Sequence, residues 1–121
     1  MSITKSALTS IIDAVSVSGS GDTEESSVYN VADAVAASFE LSLGFASDPT
    51  TGTVKLEIRS MLDGTNTSSY PTVEALFSPR GSILCQPLVV DCVGLTNLMA
   101  IVTNDTDQAA TVTLKALKTT I

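Results

Sequence analysis

From position 36 to the end of the chain, apolar and polar residues change places with a period of two. Phe39, Leu41 and Leu43 alternate with Glu40 and Ser42, and Val54, Leu56 and Ile58 alternate with Lys55, Glu57 and Arg59. Val73, Ala75 and Phe77 interleave with Thr72, Glu74 and Leu76, and Val112, Leu114 and Ala116 with Thr111, Thr113 and Lys115. Successive side chains of an extended strand point to opposite faces, so this spacing sets one face in a core and the other in water. A helix of 3.6 residues per turn cannot satisfy it.

Gly, Pro, Asn and Asp punctuate these segments about every dozen residues, the rhythm of an antiparallel sandwich. Asp48-Pro49-Thr50-Thr51-Gly52 offers a Pro to set φ and a Gly to accept positive φ, which predicts a hairpin between the first two strands. Asp63 to Ser69 reads as a longer polar loop, and residues 103–108 as a turn. Residues 83–90, apart from Gln86, and residues 98–102 are apolar in both phases. Such strands must bury both sides, within the domain or against a neighbour. The fold expected for residues 31–121 is therefore an all-β antiparallel β-sandwich, jelly-roll or Ig-like.

Residues 1–30 follow a different rule. Leu8, Ile11, Ile12 and Val15 fall on one helical stripe, yet residues 12–17 also admit a strand, so an extended or short-helical arm is expected. Residues 16–27 are rich in Ser and Gly and carry Asp22, Glu24 and Glu25, the composition of a flexible acidic linker.

Hydrophobic residues make up 44% of the 121-residue chain but aromatics only 4%, without Trp, so one modest core must be built from Val, Leu, Ile and Ala. Aromatic rings supply the largest burial areas. Their scarcity makes a subunit interface, as a homodimer or homotrimer, a physical expectation. The net charge is −7, with seven acids against Lys5 in residues 1–50 and six against five bases thereafter. Such a surface repels phosphate, so no nucleic-acid partner is expected. The chain contains no apolar run of the roughly 20 residues that span a bilayer, and Met1 to Ser10 lacks a secretory layout, so no membrane partner and synthesis in a host cytoplasm are expected. Cys85 and Cys92 are read as small buried hydrophobes.

The chemical inventory points away from catalysis. With no His, there is neither a Ser-His-Asp arrangement nor an imidazole base. Gly19-Ser20-Gly21 lacks the spacing of a nucleophile elbow or phosphate loop. Glu40, Glu57 and Glu74 could pair as glycosidase carboxylates, but their phase is that of a solvated outer face. Asp63 with Asn66, and Asn104 with Asp105 and Asp107, could offer oxygens to Ca²⁺, but they match ordinary turn chemistry better. No enzyme activity, cofactor or metal is expected.

The run Val54 to Asn66, followed by Tyr70-Pro71-Thr72, resembles small β-sandwich virion proteins of tailed bacteriophages, and Ile101 to Asp105 with Ala110 to Ala116 is similar to their last hairpin. The resemblance covers residues 36–121. It implies a head decoration or cement subunit on the capsid surface of the virion, with the major capsid protein or other virion proteins as partners. A neck, tail or fibre-attachment subunit is the alternative, and a carbohydrate-binding module a more distant one. On this reading the contacts fall on Leu8, Ile11, Ile12 and Val15 of the arm and on Leu84, Leu88, Val90, Leu98 and Ile101 of the two apolar strands.

Overall fold

A computed structural model describes residues 3–85 and 87–121; Gln86, the polar exception in the apolar run 83–90, lies outside them. The described residues form eleven strands: β1 (Thr4–Lys5), β2 (Thr9–Val17), β3 (Asp22–Glu25), β4 (Tyr29–Asn30), β5 (Ala36–Phe45), β6 (Gly52–Ser60), β7 (Val73–Phe77), β8 (Ile83–Leu84), β9 (Leu88–Asp91), β10 (Asn97–Thr106) and β11 (Ala110–Thr120). Each alternating segment of the sequence is a strand, because only the extended backbone sorts Phe39, Leu41 and Leu43 from Glu40 and Ser42.

The strands form two antiparallel sheets. In sheet A, β11 lies between β5 and the pair β1 and β2, and β5 carries β8 and β9 on its far side. In sheet B, β10 lies between β6 and the pair β3 and β4, and β6 carries β7. Each sheet is thus four strands wide. The chain passes between them at β2–β3, β4–β5, β5–β6, β7–β8, β9–β10 and β10–β11. That order is a jelly roll, which decides between the two sandwich types the alternation allowed.

The core lies between the sheets. Phe39, Leu41 and Leu43 of β5 and Val112, Leu114 and Ala116 of β11 face Val54, Leu56 and Ile58 of β6 and Leu98, Ala100 and Val102 of β10, all essentially inaccessible. Phe39 is the one fully buried aromatic side chain, met edge-on by Tyr29 with ring centroids 6.1 Å apart. Cys85 and Cys92 are free and buried, and burial pushes both thiols up.

Three expectations are corrected. The turn at 48–52 does not close a hairpin: β5 and β6 lie in different sheets, as do β10 and β11 across the turn at 107–109. Turn chemistry fixes where the chain reverses, but the reversal serves equally to cross from one layer to the other. Second, of the two forms expected for the arm, residues 9–17 take the extended one, but they are not detached. They pair with β11 from Val17↔Ala110 to Thr9↔Ala116, around a bulge where Ala14 takes φ 50° and its amide donates to Thr113 Oγ1 at 3.1 Å. A second register shift, between Leu114↔Ile12 and Lys115↔Ser10, puts both Ile11 and Ile12 into the core, and the two-phase ambiguity in residues 8–17 is the trace of the two irregularities. Third, the Ser/Gly stretch is no slack linker. Ser20 and Gly21 amides donate to the Thr106 and Asn104 carbonyls, at 3.0 and 2.9 Å. A Cβ at Gly19 would stand 2.4 Å from Thr106 O, so the glycine is there for close backbone approach. The strand that follows, β3, pairs with residues 101–104 of β10.

Candidate functional site

The residues expected to make contacts divide into three groups. Ile12, Val90 and Leu98 are fully used by the chain's own core, and Ile11 nearly so, which removes them from any partner. Val15 and Leu88 pack half-buried against that core, and Ile101 is half-buried on the outer face of sheet B. Leu8 and Leu84 are exposed. The physical reason is that a strand apolar in both phases found its second cover at home. Beneath, Leu98, Ala100 and Val102 fill the core; above, the Thr67 hydroxyl reaches Met99 Sδ at 3.9 Å.

That upper cover is the loop between β6 and β7, held by Arg59. Its Nη1 donates to the Ser68 and Ser69 carbonyls at 3.0 and 2.8 Å, while Nε donates to Glu57 Oε2 at 2.8 Å. Lys55 Nζ meets Glu57 Oε1 at 2.8 Å. Glu57, expected on a solvated face, is therefore buried between two cations, and the Lys55 ammonium first and then Arg59 hold its carboxyl below the usual range. Such a carboxylate has no proton to give near neutral pH, so it is a structural charge. Glu74, its register neighbour on β7, is exposed, and Glu40 is half-buried on the other sheet. The three glutamates do not converge.

The turn acids likewise serve the backbone. Asp63 Oδ1 accepts from the Thr65 and Asn66 amides at 2.9 and 2.8 Å, and Oδ2 from Asn66 Nδ2, holding the Asp63 carboxyl at about 2. Asp107 accepts from the Thr50 and Thr51 amides and the Thr50 hydroxyl, which ties the β5–β6 crossing to the β10–β11 crossing. Asn104 is wholly buried. Its Nδ2 donates to Val17 O and Gln108 O, and its Oδ1 accepts from the Thr106 amide and hydroxyl. Among the described residues no group of three or more His, Cys, Asp or Glu side chains is placed to hold a metal.

What remains as a site is surface, and it is distributed unevenly. The end made by the β2–β3, β5–β6, β7–β8 and β10–β11 crossings presents Ser, Thr, Gly, Asp, Pro, Gln, Ala and Arg80, and none of the exposed large apolar residues. The opposite end, made by the β4–β5, β6–β7 and β9–β10 connections and β1, carries Ile3, Leu62, Tyr70, Val93 and Ile121, each more than 60% exposed. The outer face of sheet A is a second surface. Short Ser and Thr side chains surround a shallow 380 Å³ depression lined by Glu40, Ser42, Leu84, Thr113 and Lys115, with Val89 exposed beside Ser38. Strand periodicity could not find Leu62 and Val93, because both lie in connections. A large aliphatic in a polar loop was the signal available.

No family model matches the chain, and no curated protein does either. Among solved structures it is similar to a Bacillus endospore appendage, from a family of disulfide-linked pili, at TM-score 0.58 and 10% identity over 98% of this chain and 88% of that one. It is also similar to the SPBc2 prophage-derived protein YomS, at 0.53 and 10% over 99% and 96%. The infectious bursal disease virus VP2 subviral particle gives 0.57 and 16%, covering 98% of this chain but 33% of VP2. At these identities the likeness is one of fold: a small jelly roll of a kind found in viral and appendage structural proteins.

Proposed function

We propose that this chain is a structural subunit of a bacteriophage virion, a decoration or cement protein that binds the assembled head and stabilises it. The observation that carries the reading is the contrast between the two ends of the sandwich. Five large side chains, Ile3, Leu62, Tyr70, Val93 and Ile121, stand in solvent at one end, while the other is polar and tied together by Asn104 and Asp107. Large apolar side chains exposed at one end and missing from the other support a surface that a partner covers. The fold shared with capsid, pilus and prophage proteins supports a structural role, and the resemblance of residues 36–121 to phage virion proteins directs it to the head.

The mechanism is mass action. A subunit that binds the assembled lattice and not its free components shifts the equilibrium toward the shell. The apolar end lies on the lattice, the polar end faces solvent, and no reaction or cofactor is involved.

The test is co-sedimentation with heads of the phage that encodes the chain, wild type against Val93→Asp and Leu62→Asp, with the copy number per particle. On the order of hundreds of copies, with at least a tenfold weaker hold by either variant, is the expected result. About a dozen copies or fewer moves the subunit to the neck or tail. Absence from particles overturns the virion role.

A further inference from the structure

We propose that the outer face of sheet A is a homodimer interface, occupied by the same face of a second copy about a two-fold axis running along and between β5 and β11. This deepens the structural-subunit reading, resting on it for its purpose but not for its geometry.

The carrier is the register of four charges. Glu40 of β5 pairs with Lys115 of β11, the two central strands, and both side chains lie in the outward phase. One further row, Asp91 of β9, Ala36, Thr119 and Lys5 of β1, runs across all four strands with an acid at one edge and a base at the other. These two acids therefore occupy the β5 and β9 half of the face and these two bases the β11 and β1 half, at equal distances from the line between β5 and β11, while Asp13, exposed at the bulge of β2 opposite Thr113, adds one acid on the side of the bases. Glu40 and Lys115 lie about half a strand spacing from that line, Asp91 and Lys5 about one and a half.

Rotation about this single axis lays Glu40 over the second copy's Lys115 and Asp91 over its Lys5, each pair occurring twice, as an isologous contact requires. A parallel axis shifted by one strand breaks both matches. Within one chain, Glu40 and Lys115 make no ion pair, although they are register neighbours, so both charges are free to be met from above.

Shape and area agree. Between the charged rows the face carries Ser38 and Leu117, and beyond the Glu40 and Lys115 row Ser42 and Thr113, so that mostly short side chains let sheets approach at about 10 Å. Leu84 and Val89, 68% and 62% exposed, stand on its flank. Four strand positions about 4.8 Å apart, taken along the ten residues of β5 at about 3.3 Å each, bound the face at about 600 Å² per copy, or about 1,200 Å² in all. That is the lower limit of specific interfaces, so dissociation in the micromolar range is expected. Sheet B cannot pair this way. Glu25, Glu57 and Glu74 share one register row there, and the Arg59-held loop lies over one end of the face.

The experiment is sedimentation velocity on the purified chain alone, with the charge reversals Glu40→Lys and Lys115→Glu. The wild type is expected to be a dimer at tens of micromolar, each single variant to dissociate at least tenfold more readily, and an equimolar mixture of the two to form heterodimers. The double variant, with both charges exchanged, regains dimerisation, which also shows that the singles did not simply misfold. A monomeric wild type at millimolar concentration, singles that dimerise like wild type, or a double variant that stays monomeric each overturns the interface. Because no particle is present, failure of the virion role leaves this result standing, and failure here leaves particle binding through Val93 and Leu62 to be judged separately.

Discussion

Replacing Asn104 with Ala should be the most damaging single change at the polar end. The side chain makes four hydrogen bonds, to Val17 O at 3.0 Å, Gln108 O at 2.9 Å, the Thr106 amide at 3.1 Å and the Thr106 hydroxyl at 2.7 Å. Truncation does not orphan all four partners, because the Thr106 hydroxyl still has Gln108 O at 2.9 Å. The Thr106 amide and the Val17 carbonyl lose a partner in a place water does not reach. Each such loss costs about 1–3 kcal/mol, so about 2–6 kcal/mol in total is expected. A chain of this size has roughly 6–18 kcal/mol of stability, and the midpoint of thermal unfolding should fall by about 10–20 °C. The control is one residue away: Asp105 is exposed and its side chain makes no hydrogen bond, so Asp105→Ala should stay within about 0.5 kcal/mol. Asn104→Asp adds a sign. A carboxylate there faces two carbonyls, so its pKa rises above the unfolded value, and the variant should recover stability as pH falls and lose it as pH rises. Denaturant unfolding of the three variants decides it. Should Asn104→Ala cost no more than Asp105→Ala, the buried network does not hold the end together.

Gly52→Ala should cost about 3 kcal/mol or more, because φ is 89° and the new Cβ would stand 1.9 Å from Asp105 O, whereas Gly44→Ala, with its neighbours 3.9 Å away, should be close to neutral by the same unfolding assay. Asp63 should titrate near about 2 by carboxyl NMR. Because its pKa is depressed, its contribution is present above the ordinary carboxylate value and lost only as pH falls through about 2, with the Thr65 and Asn66 amides exchanging faster there; a midpoint in the ordinary range refutes the turn geometry. Cys85 and Cys92 should resist alkylation in the native protein and react once it is unfolded in urea, since burial disfavours both thiolates, and rapid native labelling would contradict their placement.

The alternation of Phe39, Leu41 and Leu43, of Val54, Leu56 and Ile58 and of Val112, Leu114 and Ala116 determined the strands and their inward faces, because side-chain direction in an extended chain depends only on parity. The sequence also determined the makeup of the core and the turn at Asp63, whose carboxylate bonds to backbone two and three residues on, whereas the tie from Asp107 to Thr50 joins two crossings far apart in the chain and is tertiary. Which strands pair was decided only in three dimensions. A turn such as 48–52 reverses the chain whether its strands share a sheet or face each other across a core, and that choice is made by the summed packing of both layers. The bulge at Ala14, the close approach at Gly19 and the loop that Arg59 draws over sheet B arise from contacts between separate segments or from local breaks in parity. The two surfaces are likewise tertiary. Leu62 and Val93 are far apart in the chain, and Lys5, Lys115, Glu40 and Asp91 form a symmetric pattern only after β1, β11, β5 and β9 are laid side by side.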